Sequence, residues 1–303
     1  VNVQGDTTIE PNENFTVTLS NPTNGATLGT PSTATATIID EDSVPFLVKD
    51  IYPGSFGPYP SNLTARGNTL FFTAYDSVNG EELWRSDGTA AGTVAVADIS
   101  PGDYGSYPSN LTVVGSTLFF QAYDSVNGTE LWKSDGTAAG TVLVKDIRPG
   151  SSSSDLGNLT AVGSTLFFTA NDNVNGRELW KSDGTAAGTV LVKDIRPGSF
   201  SSFRDNSPGN LTAVGNTLFF TADDGVNGGE LWKSDGTAAG TVLVADIRPG
   251  FSDSYPSSLK VVGNTLFFSA VNAVIIGSEL WALNVGGPTV PTLAIAATNA
   301  NQT

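Results

Sequence analysis

A Glu-Leu-Trp triplet recurs at a nearly constant interval along this chain, and its period constrains the fold more than any other feature. The tryptophans are spaced 48, 48, 52 and 49 residues apart, and they are Trp84, Trp132, Trp180, Trp232 and Trp281. A period of this length is typical of architectures in which similar units stack on one another, because one unit alone cannot bury its apolar surface. The sequence therefore predicts an array of like units.

Each unit reads as four short antiparallel strands. In the fourth copy these are "LTAVG", "TLFFTA", "ELWKS" and "VLVADI", separated by turns rich in Asn, Asp and Gly. Asn and Gly tolerate the positive φ of tight hairpin turns, and a Pro-Gly pair ends the last strand. The strand "TLFFTA" is apolar on both faces, which predicts a sheet covered on both sides, as in the blades of a propeller. A flat solenoid is the weaker alternative, since it would need capping repeats.

The two ends of the repeat region complement each other. The segment "VPFLVKDIYPG" matches the fourth strand of the second and third copies but stands before the first repeat, whereas the fifth copy stops at "ELWALN". We therefore expect Phe46 to Ile51 to pair with Glu279 to Asn284. This pairing predicts a closed five-bladed propeller over residues 44–287, with ring closure by residues 44–52 and no exposed sheet edges.

Composition narrows the range of functions. Acidic residues outnumber basic ones 30 to 14, and the net charge of −16 argues against a nucleic-acid partner. The chain has no Cys and no His, which excludes disulfides, zinc sites with nitrogen or sulfur ligands, and His-based catalysis. No apolar run is long enough for membrane insertion. The first residues read as the middle of a strand-rich domain, so we expect a piece of a longer polypeptide.

The flanking segments differ from the repeats. Alternation in "NFTVTLS" and "TATATII" predicts two half-buried strands within residues 1–43, and residues 288–303 hold one more strand after a Gly-Pro linker. The first segment resembles the C-terminal half of a Calx-beta domain, an immunoglobulin-like sandwich, and "LAIAATNANQT" resembles the first strand of a following Calx-beta-like module. The five repeats resemble the ELWxxDGT repeats of large secreted bacterial proteins.

The Calx-beta resemblance implies a calcium site. Carboxylates before one strand and in an acidic triplet at the domain end hold Ca²⁺ in that family, and the matching positions here are Asp6, Glu10, Asp40, Glu41 and Asp42. Such carboxylates would repel one another unless a hard cation neutralised them, which makes calcium the candidate cofactor. The alternative is a solvated acidic loop.

Three repeated side chains allow both a structural and a functional interpretation. The Asp of "SDGT" is expected to form a turn, because its spacing from Ser does not fit the Asp-box of sialidases. The Asp of "DI" either caps backbone donors at a strand end or forms a cation-binding ring of Asp50, Asp98, Asp146, Asp194 and Asp246. The tryptophans are expected to pack between blades, with sugar stacking as the alternative.

These observations predict a non-enzymatic structural or adhesive module of a large extracellular bacterial protein, secreted or on the cell surface. It could form a bead of a surface filament, with copies of itself or neighbouring modules of the same polypeptide as partners. Donation of Thr292 to Thr298 to the Phe15 to Leu19 strand of the next copy is one route. The alternative is a lectin-like propeller that binds glycans. The missing His and Cys argue against a hydrolase, although carboxylate-only chemistry stays open.

Overall fold

The computed structural model describes residues 13–20, 22–30, 32–38, 45–54, 57–197, 207–272 and 277–286. The chain divides into two compact units, Val1–Val48 and Lys49–Thr303. Every regular element in the described ranges is a β-strand, which confirms the all-β prediction. No membrane-spanning helix occurs in this part of the chain.

The smaller unit contains one two-stranded antiparallel sheet. Its strands are β1 (Glu13–Thr18) and β2 (Thr33–Ile38), with Phe15 opposite Ala36. Val17 in β1 and Leu19 just after it are 52% and 63% exposed, so this sheet leaves apolar side chains uncovered. The two predicted strands are present, and the Calx-beta interpretation of this unit stays a prediction. Residues 292–298, the predicted donor strand, lie outside the described residues.

The larger unit contains five sheets, each built from consecutive strands of one repeat. The first four sheets have four strands and the fifth has three. In chain order the strands are β3 (Ser61–Arg66), β4 (Thr69–Asp76), β5 (Gly80–Ser86) and β6 (Val94–Ala97); β7 (Ser109–Val114), β8 (Thr117–Asp124), β9 (Gly128–Ser134) and β10 (Val142–Lys145); β11 (Gly157–Val162), β12 (Thr165–Asn171), β13 (Arg177–Ser182) and β14 (Val190–Lys193); β15 (Gly209–Val214), β16 (Thr217–Asp223), β17 (Gly229–Ser234) and β18 (Val242–Ala245); β19 (Ser257–Val262), β20 (Thr265–Ala270) and β21 (Glu279–Asn284).

The turns within each sheet are held by Asp side chains. In the fourth sheet, Asp235 Oδ1 accepts hydrogen bonds from the Thr237 amide at 2.8 Å and from its hydroxyl at 2.7 Å. Asp87, Asp135 and Asp183 make the same pair of bonds. These bonds confirm the turn interpretation of the "SDGT" aspartates, since a carboxylate that caps its own loop directs the chain into the next strand.

Consecutive sheets pack face to face through apolar side chains. Phe167, Leu179 and Val192 of the third sheet pack against Phe220 and Trp232 of the fourth. Equivalent clusters join the first sheet to the second, the second to the third and the fourth to the fifth. Because each middle strand is apolar on both faces, every internal sheet contributes to two clusters. This arrangement is propeller-like.

The tryptophans belong to these clusters. Trp180 and Trp232 are 6% and 5% exposed, so the prediction that they pack between sheets is confirmed for these two. Trp84 is also buried, but it lies on the outer face of the first sheet beside Ile51. A lysine of the preceding fourth strand covers two of the rings: Lys145 Nζ lies 5.8 Å from the Trp180 ring centroid and Lys193 Nζ lies 5.6 Å from that of Trp232. This cation–π geometry adds a tie between neighbouring sheets.

The predicted pairing of Phe46 to Ile51 with Glu279 to Asn284 is wrong for this structure. Residues 45–50 form no strand, and β21 pairs only with β20. Phe46 and Leu47 are 75% and 79% exposed, and Leu280 on the fifth sheet is 76% exposed. The row of sheets is therefore open in the described residues, and ring closure is not observed.

Side-chain contacts explain why the segment is placed elsewhere. Lys49 Nζ donates a 2.7 Å hydrogen bond to the Thr93 carbonyl, and Ile51 packs against Phe72, Ala74 and Trp84 of the first sheet. These contacts use only one face of the segment and none of its backbone groups. The segment is thus held against the first sheet without becoming part of a hydrogen-bonded ladder.

Matched leucine substitutions test whether the row is open. Leu231 is 1% exposed and Leu280, at the same position of the next repeat, is 76% exposed. Leu231→Ala is expected to lower the free energy of unfolding by about 2–5 kcal/mol, because it leaves a cavity between sheets. Leu280→Ala should change it by less than about 0.5 kcal/mol in dilute solution. Urea unfolding measures both values, and an equal loss in the two variants would show that the fifth sheet is covered.

Candidate functional site

The predicted metal ligands cannot be placed. Asp6, Glu10, Asp40, Glu41 and Asp42 all lie outside the described residues, so the calcium site stays a prediction. Within the described ranges, no group of three or more acidic side chains is arranged to hold a metal ion.

The cation-binding ring considered for the "DI" aspartates is therefore not formed, although all five of these residues are described. One of them instead behaves as a strand-end cap, because Asp146 Oδ2 accepts the Gly150 amide at 3.2 Å.

A cavity of about 360 Å³ opens where the fourth and fifth repeats meet. It is lined by Ser207, Gly209, Asn210, Thr221, Ala222, Gly229, Tyr255, Pro256 and Ser257. None of these described lining residues carries a charged side chain. Its volume lies within the range of small-molecule sites, and its lining combines one aromatic ring with several neutral hydrogen-bonding groups.

The cavity exists because the fourth repeat lacks a side chain at a position where the first three repeats have one. At the position of Gly229 the first three repeats have Glu81, Thr129 and Arg177. In the third repeat the Arg177 guanidinium donates to Thr169 Oγ1 at 3.3 Å from both Nε and Nη2. Arg177 therefore occupies, in its own repeat, the space that Gly229 leaves open in the fourth.

A second side of the cavity is lined by smaller residues than the second repeat has at the same positions. In the second repeat Gln121 stands at the position of Thr221, and its Nε2 donates to Ser109 Oγ at 2.7 Å. The residue equivalent to Ser109 in the fourth repeat is Gly209, which has no side chain to make that bond. A shorter Thr and a Gly together leave room beside the first strand.

The first strand of the fourth sheet is shaped by an asparagine with positive φ. Asn210 has φ 52°, and the pairing of β15 with β16 shifts register between Gly209 and Thr212. Asn tolerates this conformation better than other non-glycine residues. Its Nδ2 donates to Thr221 Oγ1 at 3.4 Å and to the Pro256 carbonyl at 3.2 Å. The Asn210 side chain thus bridges the two repeats at the edge of the cavity.

Tyr255 presents its ring to solvent at the mouth of the cavity. It is 61% exposed and has φ 50°, a conformation that strains a bulky side chain, and buried Pro256 follows it. Such strain persists only where surrounding contacts hold the backbone in place. The loop before Tyr255 supplies those contacts.

A buried glutamate anchors that loop. Glu230 Oε2 accepts the Ser254 hydroxyl at 2.5 Å and the Ile247 amide at 3.1 Å, and the Ser254 amide donates to the Gly229 carbonyl at 3.0 Å. The Gly229 amide in turn donates to Asp253 Oδ1 at 2.7 Å. Tyr255 is therefore the first residue after a rigidly held turn.

Equivalent glutamates are buried in all of the first four repeats. Desolvation is the largest influence, and it raises the pKa of Glu82, Glu130 and Glu178 to about 7 and also raises the pKa of Glu230. Hydrogen bonds from backbone amides oppose this shift, and a neighbouring Asp adds to it. Glu178 Oε2 and Asp194 Oδ1 are both buried and lack hydrogen-bond partners. Among the described residues, the third repeat thus has the most buried polar atoms without a hydrogen-bond partner.

The sequence analysis missed most of this site. It considered the tryptophans as sugar platforms, but the exposed aromatic residue is Tyr255 and the ring of Trp232 is buried. The departure of Gly229 from the repeat pattern was the signal that could have identified the cavity. For the glutamates the signal was a carboxylate kept beside two apolar residues in five successive repeats.

Comparison with known proteins gives a likeness of fold. No protein family and no curated protein matches the chain. Puromycin hydrolase is 13% identical over 82% of this chain and 40% of its own, with a TM-score of 0.48. A puromycin-hydrolyzing peptidase from Mycobacterium tuberculosis is 10% identical over 75% of this chain and 36% of its own, with a TM-score of 0.44.

The β-propeller domain of the Trilobed protease from Pyrococcus furiosus is 11% identical over 75% of this chain and 82% of its own, with a TM-score of 0.33. The chain spans about two fifths of the length of puromycin hydrolase. At these identities, and with TM-scores below 0.5, the likeness assigns no activity to this chain.

The expectation of a non-enzymatic protein is contradicted by these structures. Puromycin hydrolase and the Mycobacterium tuberculosis peptidase are enzymes by name. The expectation relied on the absence of His and Cys from 303 residues. That absence does not decide the question, because the likeness covers only 40% and 36% of those two enzymes and leaves most of each one unmatched.

The buried glutamates predict a pH-dependent stability. A folded-state pKa of about 7 for Glu130 exceeds its ordinary 4.5, so the folded chain binds more protons than the unfolded chain between these values. The stabilisation is fully present below pH 4.5 and is lost as the pH rises through 7. Between pH 4.5 and pH 7.5, the free energy of unfolding should therefore fall by about 1–3 kcal/mol less in Glu130→Gln than in the parent chain. Urea unfolding at the two pH values measures this difference. The control is Glu81→Gln, and an identical slope in both variants would contradict the assignment.

Proposed function

We propose that this chain is an adhesive, lectin-like module that binds a neutral carbohydrate in the cavity beside Tyr255. The observation that carries the proposal is the cavity of about 360 Å³, whose described lining residues are all uncharged and which is open in the fourth repeat through Gly209 and Gly229. The cavity is large enough for a sugar ring, and its mouth carries an exposed aromatic side chain.

The lining matches the chemistry of a sugar. A pyranose offers an apolar C–H face, which packs on an aromatic ring, and hydroxyl groups that both donate and accept hydrogen bonds. Asn210 and Thr221 supply donors and acceptors, and their own mutual bond is a long 3.4 Å contact. A neutral ligand is favoured over an anionic one because the chain carries a net charge of −16.

The wider role that we propose is adhesion or structural support within a large extracellular bacterial polypeptide. The support is the resemblance to ELWxxDGT repeats of secreted proteins and a set of sheets that pack face to face. Secretion or surface display and calcium binding in the Calx-beta-like segment belong to this proposal. Binding of a carbohydrate would give such a module its adhesive target.

Two substitutions test the carbohydrate site. Tyr255→Ala should weaken binding of a neutral glycan at least about tenfold, because it removes the stacking surface. Gly229→Arg should abolish binding, since it introduces into the fourth repeat the side chain that fills this space in the third. A glycan array identifies the ligand, and titration calorimetry then measures both variants.

The matched control is Thr129→Arg, which adds the same charge at the same position of the second repeat, away from the cavity. It should leave affinity unchanged. The proposal fails if the parent chain binds no neutral glycan, or if both cavity variants bind as tightly as the parent.

A further inference from the structure

The fifth sheet lacks the strand that completes each of the other four. In the fourth sheet β18 pairs with β17, with Leu243 opposite Trp232 and Val242 opposite Lys233. The matching edge of β21 has no partner in the described residues. The side chain that the completing strand and the next sheet would cover, Leu280, is 76% exposed. An edge of this kind is open to addition of another strand.

The chain also contains a copy of the completing strand that belongs to no sheet. Residues 47–51 read Leu-Val-Lys-Asp-Ile, identical to Leu143 to Ile147 of the second repeat. Residues 45–50 form no strand, and Phe46 and Leu47 are 75% and 79% exposed. A sequence that forms the outermost strand in two other repeats is thus present but unpaired.

The C-terminal part of this segment, at Lys49, already lies against the first sheet as a fourth strand lies against the sheet that follows it. Lys145, in the fourth strand of the second sheet, donates to the Thr189 carbonyl of the third sheet at 2.7 Å and lies 5.8 Å from the Trp180 ring. Lys49 donates to the Thr93 carbonyl of the first sheet at 2.7 Å and lies 5.9 Å from the Trp84 ring. The first sheet therefore makes the contacts that it would make with a preceding sheet.

From these observations we propose that the segment Phe46 to Ile51 of one copy of this chain completes the fifth sheet of a second copy. The second copy's fifth sheet then lies against the first sheet of the first copy. The junction between copies repeats the four junctions already present within the chain. It is continuous with them, because Lys49 makes the same carbonyl and ring contacts at the first sheet that Lys145 and Lys193 make at internal junctions.

Within the described residues, the edge of β21 and the segment at Phe46 and Leu47 stay unpaired, which favours a second copy as the partner. The cluster on the outer face of the first sheet contains first-sheet residues and Ile51 but none from the fifth sheet. The cluster that contains the fifth sheet joins it to the fourth. A donor at one end and an acceptor at the other make a head-to-tail contact, through which further copies can add in the same way.

A disulfide trap tests the contact and its register. By analogy with Val142 opposite Lys133, Phe46 of the donor should lie opposite Ala282 of the acceptor. Directly opposed residues of antiparallel strands are close enough for a disulfide. The chain has no cysteine, so Phe46→Cys/Ala282→Cys introduces a single pair. On mild oxidation we expect a ladder of covalent dimers, trimers and longer chains on a non-reducing gel.

The matched control is Phe46→Cys/Leu283→Cys, which moves the second thiol by one residue to the opposite face of the strand. It should give no ladder. Each single-cysteine variant can give a dimer at most. Sedimentation of the cysteine-free chain should show concentration-dependent association that Leu280→Asp reduces at least tenfold.

Two results would overturn the proposal. A monomer with an internal disulfide would show that the segment completes the fifth sheet of its own chain. A ladder of equal intensity in the matched control would show that collisions, not a register, join the thiols. Loss of glycan binding has no bearing on either result, because the cavity beside Tyr255 takes no part in this contact.

Discussion

Face-to-face packing of apolar sheets is the interaction on which the rest of the structure depends. Each repeat has a central strand with apolar side chains on both faces, so an isolated sheet would expose half of them to water. Residues such as Phe167 and Phe220 are buried only because sheets from neighbouring repeats cover them. The repeats therefore stabilise one another in sequence, and the fifth sheet leaves one face uncovered because no sheet follows it in the row.

Buried glutamates connect this packing to the loops that cross between repeats. Glu230 lies beside apolar Leu231 and Trp232, yet its carboxylate faces backbone amides and the hydroxyl of Ser254. Burial there is unfavourable for the charged form of the carboxylate, but its hydrogen bonds help to fix the turn before Tyr255. The exposed position of Tyr255 results from this buried anchor.

Differences in side chains between the repeats create the cavity beside the fourth repeat. Four copies share the same framework, and a cavity appears beside the fourth because Gly229 stands where the first three have larger side chains. Arg177 fills the corresponding space of the third repeat by bonding to Thr169. A repeated fold can thus acquire a binding site through the loss of one or two side chains, without any change in its backbone plan.

The sequence by itself determined the number of repeats, the strands within each one and the turn role of Asp235, because these depend on periodicity and on local hydrogen bonds. It suggested the edge that lacks a strand, since the fifth copy stops early. It could not determine where Phe46 to Ile51 lies, because the same residues can pair through the backbone or attach through the side chains of Lys49 and Ile51. It also could not reveal the cavity at Gly229. Open space depends on which side chains from two repeats converge, and only the tertiary structure brings them together.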